Sequence, residues 1–289
     1  MSSTEIQELR NPPSMLTNMA RAALSANRKP GKSPELPDIG LRLSDVVQDA
    51  DHLRRYRRVC GFRENDYLPV TYPHMHAFPL HMALILDSRF PFPAMGLVHT
   101  GNKITQYRRI GNREQLDVEC RTGALEKREK GWQFSIHTSV YTGGELVWES
   151  ESFMMFRTGG GDKKKKQQPE PEPAQDTVQW SVPGDIGRRY GAVSGDRNPI
   201  HLYPLTAKLF GFKRQIAHGM WSKSRCLAEL EDQLPDHPFT ADVYFKLPLF
   251  IPAKVRFEHH GEGDHHDFRL LADDGIKPHL EGTIRPAEA

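Results

Sequence analysis

The chain has 289 residues, room for one large domain or two of ordinary size. Charged residues make up 26% and the formal net charge is +2, so nothing in the balance calls for a nucleic-acid or membrane partner. Three scattered cysteines (Cys60, Cys120 and Cys226) form no CxxC pair and read as reduced thiols, and no basic-then-apolar leader opens the sequence, so a cytoplasmic location is the expectation.

Residues 1–37 are rich in Pro and Ser and read as a weakly structured segment, with a short helix over Met15–Ala26 as the one candidate element. Residues 38–158 read as a first domain. It has an early helical stretch, a long helix over Pro73–Asp87, and strands at Leu116–Arg121, Trp132–Thr142 and Leu146–Phe156. The Gly143-Gly144 pair between the last two is a hairpin signal. Residues 159–175, GGGDKKKKQQPEPEPAQ, cannot bury apolar surface and read as a flexible linker.

Residues 176–289 read as a second domain. A short helix is expected over Pro204–Phe210, with Pro204 in its first turn and Gly211 at its end. A longer helix is expected over Ala217–Leu234, where Met220, Leu227, Leu230 and Leu234 fall at helical spacing before Pro235 stops it. Strands follow at Ala241–Phe245, Ala253–His259, Asp267–Ala272 and His279–Ile284. A long helix followed by an antiparallel meander, written twice, is an α+β pattern.

Two short matches support duplication. Tyr56–Arg63 aligns with Tyr190–Arg197 at an offset of 134, and Val147–Ser150 resembles the segment around Leu280 at an offset of 132.

The chemistry concentrates in Ser194-Gly195-Asp196-Arg197-Asn198-Pro199-Ile200-His201, followed by Ile216-Ala217-His218-Gly219-Met220. General acid/base catalysis needs one group that takes a proton and one that gives it. An Asp and a His hold opposite protonation states near neutral pH. Asp196 and His201 sit five residues apart across a turn opened by Asn198-Pro199, which can aim both at one water. Gly219 stands near the start of the long helix, where a backbone N–H without an intrahelical partner suits an oxyanion. Close packing of the helix on the sheet would also explain this glycine.

This segment closely resembles the MaoC-like hydratases, including the R-specific enoyl-CoA hydratases. The resemblance implies a double hot-dog fold with one active site, in residues 176–289. It implies Asp196 and His201 as the acid/base pair, syn addition to a (3R)-3-hydroxyacyl product, and an oxyanion site at Gly219. Asn198 either starts the turn or helps to orient the pair. Ser194, Gly195, Ile216, His218 and Met220 fall beside the substrate by the same resemblance, His218 in a structural role. No metal or redox cofactor is implied beyond the coenzyme A of the substrate. The partner is a small acyl thioester, on coenzyme A or an acyl carrier protein, and the chain is either a monomer or a homodimer.

A carrier-protein dehydratase, a hot-dog thioesterase and a non-catalytic acyl-CoA-binding module are the alternatives. The first domain has Phe62 where the second has Asp196, and Tyr67 where it has His201, so it reads as a degenerate half. By resemblance it makes room for the acyl chain or serves only as a built-in partner. His74, His76, His259, His260, His265 and His266 read as surface residues, because no further ligands accompany them at zinc spacing. The Arg54, Arg55, Arg57 and Arg58 cluster reads as a solvated helix face.

Overall fold

The chain's two long helices, α3 (His74–Ile85) and α7 (Gly219–Glu229), each belong to a five-stranded unit, and the two units share one continuous sheet. The computed structural model describes residues 5–159 and 174–287, so the expected linker lies outside the described residues except at its ends.

The first unit comprises β2 (Ile39–Val46), α2 (Ala50–Cys60), α3, β3 (Leu97–Gln106), β4 (Leu116–Arg128), β5 (Gly131–Thr142) and β6 (Glu145–Arg157). The second comprises β7 (Asp176–Val182), α4 (Ile186–Ser194), α5 (Pro199–Leu202), α6 (Pro204–Leu209), α7, β8 (Phe239–Phe245), β9 (Ala253–Glu262), β10 (His265–Ala272) and β11 (Pro278–Pro286). In space the first unit runs β2-β4-β5-β6-β3 and the second, read from its far edge, β7-β9-β10-β11-β8. Taken in chain order, these are the same arrangement. The units join where β3 and β8 pair antiparallel from Gly101↔Tyr244 to Gln106↔Phe239. This is the expected double hot-dog, and the two short sequence matches fall on equivalent elements. Gly61 and Gly195 both cap their helices in the left-handed region, at φ 87 and 76°. Trp148 of β6 and Leu280 of β11 hold equivalent strand positions and are both fully buried.

Local chemistry explains most of the elements. Gly143 and Gly144 both have positive φ (56 and 84°), as the tight turn joining β5 to β6 requires. Helix α7 starts two residues later than expected. His218 is extended (φ −68, ψ 140°) and Ala217 spends its N–H on the Leu249 carbonyl, so the first helical residue is Gly219. It also ends sooner, at Glu229, and continues only as a 3-10 turn over Glu231–Gln233.

The first 37 residues carry more regular structure than their composition suggests. A strand β1 (Glu5–Leu9) pairs parallel with β2 at the sheet edge, and a helix α1 (Met15–Leu24) lies along α3. Asn18 donates to the Pro79 carbonyl. Arg21 and Arg28 donate to the carbonyls of Leu86, Ile85 and Phe90, around the C-terminal end of α3 where cations are favoured. Tertiary anchoring of this kind is invisible to a composition argument.

Two other expectations are corrected. Arg57 is buried rather than solvated. Its guanidinium holds the carbonyls of Arg63, Asn65 and Tyr67 and the side chain of Asn112, which fixes the loop after α2. His74, His259 and His266 are buried rather than on the surface. Among the described residues, no helix is long and apolar enough to cross a membrane.

Candidate active site

Helix α4 ends at Gly195, and the chain then turns sharply through Asp196 and Asn198 into α5. Three local hydrogen bonds build this turn. Asp196 N–H donates to Ser194 Oγ at 3.1 Å, Asn198 N–H to Asp196 Oδ1 at 3.1 Å, and Ile200 N–H to Asn198 Oδ1 at 3.3 Å. Asn198 is thus the N-cap of α5, with Pro199 as its first residue. The turn-starting role expected of Asn198 is present in full. The Asp196 side chain remains 28% exposed and open to a ligand.

His201, on α5, is buried. Its Nδ1 lies 2.8 Å from the Ile216 carbonyl oxygen, so the proton sits on Nδ1 and Nε2 keeps its lone pair. Burial lowers its pKa below the ordinary histidine value, although the Asp196 charge and the Ile216 carbonyl pull the other way. The ring of His218 stacks on that of His201 with centroids 3.7 Å apart. His218 Nε2 donates to the Asp196 backbone carbonyl at 2.9 Å and stands 3.7 Å from its Oδ2. Burial first, and the neighbouring His201 second, push His218 down to about 3, so it is neutral. The ligand-capable atoms of Asp196, His201 and His218 all lie within 4.8 Å of one another.

Gly219 follows as the first residue of α7, where its N–H has no acceptor within the helix. A Cβ at this position would come within 3.0 Å of the Phe245 ring. The packing explanation for this glycine therefore holds alongside the N–H it offers. Of the flanking residues, Ser194 supports the turn through its Oγ, Gly195 makes the left-handed cap, and Ile216 supplies the carbonyl that orients His201. Met220 is buried in the core beside the start of α7.

Several supporting residues escaped the sequence reading. Gly187 and Gly191 of α4 lie directly under the turn. A Cβ on Gly187 would stand 1.9 Å from the His201 carbonyl oxygen, and one on Gly191 2.8 Å from that of Asp196. Their four-residue spacing on one helix face was the available signal. Tyr190 packs its ring 5.0 Å from His218, and Met15 of α1 sits against Gly195. His52 of α2 reaches across from the first unit to within 2.7 Å of the Val193 carbonyl.

Among the described residues, the first unit has no counterpart of α5 and α6. Phe62 sits in the core, its ring stacked near Tyr56, and Tyr67 is half-exposed beneath Arg109. A cavity of about 830 Å³ opens on the sheet among Asp242, Tyr244, Glu258 and Arg269, and one of about 440 Å³ lies beside His52, Tyr72 and His76. Asp196, His201 and Gly219 line neither of them.

Known proteins resemble this chain in sequence and in fold. A family model described as a MaoC-like domain matches residues 145–271. The 3-hydroxyacyl-thioester dehydratase X of Mycobacterium tuberculosis is 36% identical over 278 residues, 94% of this chain and 98% of that one. The (R)-specific enoyl-CoA hydratase of Aeromonas caviae is 38% identical over 72 residues, 24% of this chain and 54% of its own length. The crystal structure of HtdX from Mycobacterium tuberculosis superposes with a TM-score of 0.75 at 32% identity, covering 86% of this chain and all of the other.

Proposed function

Since the chain belongs to the MaoC-like dehydratase family, we propose that it is a hydro-lyase that interconverts 2-enoyl and (3R)-3-hydroxyacyl thioesters at the turn between α4 and α5. The observation that carries this reading is the pairing of a part-exposed Asp196 carboxylate with a buried His201. The tautomer of His201 is fixed by Ile216, so that its Nε2 lone pair is free.

Hydration adds water across the C2–C3 double bond. One proton and the hydroxyl oxygen come from that water, and charge builds on the thioester oxygen as the enolate develops. Asp196 and His201 hold the water and pass protons between it and C2. Both act from one turn, so oxygen and proton reach the same face of the double bond, which gives syn addition. The Gly219 N–H at the positive end of α7 stabilises the enolate oxygen. His218 keeps the turn and the start of α7 in register by clasping the Asp196 carbonyl. The reading needs no metal. Asp196 and His201 carry both proton transfers themselves. The thioester is carried on coenzyme A or on an acyl carrier protein.

The test is loss of the enoyl-thioester ultraviolet band with crotonyl-CoA and a longer 2-enoyl-CoA. Asp196→Asn and His201→Ala should each lower turnover by roughly 10²-fold or more, with unfolding midpoints near wild type. Near-normal activity in either variant, or no consumption of these acyl chains on coenzyme A or on an acyl carrier protein, would overturn the assignment.

A further inference from the structure

The first unit lacks the acid/base pair, yet it places one unsatisfied imidazole beside the site. His99 lies on β3, next to the irregularity in the β3–β6 register between His99 and Gly101. Its ring packs edge-on against Phe245 with centroids 5.0 Å apart, and Phe245 is the ring that touches the Gly219 position. His99 is therefore one aromatic ring away from the N–H expected to hold the thioester oxygen. The residue as a whole is only part-buried, but its Nε2 is buried and has no hydrogen-bond partner among the described residues.

With its N–H on Nδ1, the neutral ring leaves a lone pair on Nε2. Burial, with the nearby Lys223 ammonium, pushes the ring down to about 4 and keeps it neutral, although the Asp196 charge also reaches it and acts the other way. Lys223 itself is not available to pair with the ring. Its Nζ donates to the carbonyls of Asn102 and Ala241 and to Asn102 Oδ1, at 2.7–2.9 Å. His81, which lines the same interior, is satisfied by Thr138 Oγ1 at 2.7 Å. Nearby His74 also has a buried unpartnered nitrogen, its Nδ1.

We propose that His99 is a specificity residue contributed by the non-catalytic unit, and that its Nε2 accepts a hydrogen bond from a hydroxyl on the acyl chain of the thioester. This rests on the hydration site described above. A plain alkyl chain passing Phe245 would leave the nitrogen buried and unpaired, which disfavours it. A hydroxylated chain supplies the missing donor, and a site built around such a bond rejects the analogue lacking it.

The experiment compares kcat/KM for 2-octenoyl-CoA and its 5-hydroxy and 8-hydroxy derivatives, with wild type, His99→Phe and His99→Gln. Wild type should favour at least one hydroxylated chain tenfold or more. His99→Phe, which keeps a ring but loses the acceptor, should bring that ratio to about one. His99→Gln, which restores an acceptor oxygen, should recover much of it. A merely structural role would lower activity on all three thioesters together and leave the ratio unchanged. An unchanged ratio in His99→Phe, or no wild-type preference, overturns the proposal while leaving the hydration reading intact. If wild type hydrates none of the three, the hydration reading fails. Calorimetric binding of octanoyl-CoA and its 5-hydroxy and 8-hydroxy derivatives then decides the matter for His99. A hydroxyl preference that His99→Phe abolishes supports its role, and equal affinities or no binding overturn it.

Discussion

Adding a single methyl group to Gly187 separates two effects that usually go together. Glycine inside a helix costs about 1 kcal/mol relative to alanine, so helix propensity alone has Gly187→Ala stabilise α4 by that amount. The new Cβ, however, would sit 1.9 Å from the His201 carbonyl oxygen, where ordinary contact needs about 3.5 Å. That oxygen belongs to backbone, so α4 and α5 must separate by at least about 1 Å. Overpacking of this kind costs about 1–3 kcal/mol, which cancels or reverses the propensity gain. The greater consequence falls on the chemistry. His201 rides on the displaced turn, and a misplacement of about 1 Å is worth roughly 10²-fold in rate. The measurements are kcat/KM on the best enoyl thioester and the urea midpoint of the same preparation. The expected result is a large loss of rate with a stability change within about 2 kcal/mol of zero. A variant that gains about 1 kcal/mol and keeps full activity would refute the packing of α4 under the turn that carries Asp196 and His201.

Acid should destabilise the fold before it protonates the carboxylates. His81 and His218 are buried with values pushed down to about 3, so from pH 6.5 downward the unfolded chain takes up protons that the folded chain refuses. Stability present above pH 6.5 should therefore fall by up to about 1.4 kcal/mol per pH unit for each of them, down towards pH 3. Denaturant midpoints that stay flat between pH 7 and 5 would contradict this. Dialysis against a chelator should leave hydration activity unchanged, whereas a loss restored by a divalent ion would make Asp196, His201 and His218 a metal site. Arg57→Met should cost about 2–3 kcal/mol by stranding three loop carbonyls, read as a lower urea midpoint.

Much of this architecture is legible in the sequence because periodicity reports burial. Four of the five second-unit strands and the short helix at Pro204 fall within a few residues of their expected places, β7 being the unexpected fifth, and the motif from Ser194 to His201 identifies the turn. Three kinds of feature are not legible. The anchoring of α1 depends on carbonyls at the end of α3, some sixty residues away. Arg57 looks like any arginine in a basic run, and its burial is decided by a loop that wraps round it. Helix α7 begins at Gly219 rather than Ala217 because Leu249 claims the Ala217 N–H, a long-range bond that no local pattern encodes. The site followed the same rule. Asp196 and His201 are readable as a local motif, whereas Gly187, His52 and His99 reach it only through tertiary structure.

The β3–β8 seam makes one polypeptide out of what a homodimer would assemble from two copies. In a homodimer every substitution is written twice, once at each end of the two-fold axis. A change that improves one role of a residue is therefore forced on its symmetry mate as well. Here position 62 and position 196 are inherited separately, and so are the two long helices. One unit can keep the turn from Ser194 to His201 under strict constraint while the other drifts and packs side chains such as His99 against its neighbour's Phe245. The fused chain gives up half of its potential sites, and in exchange it gains an active-site wall that can change without altering the chemistry opposite it.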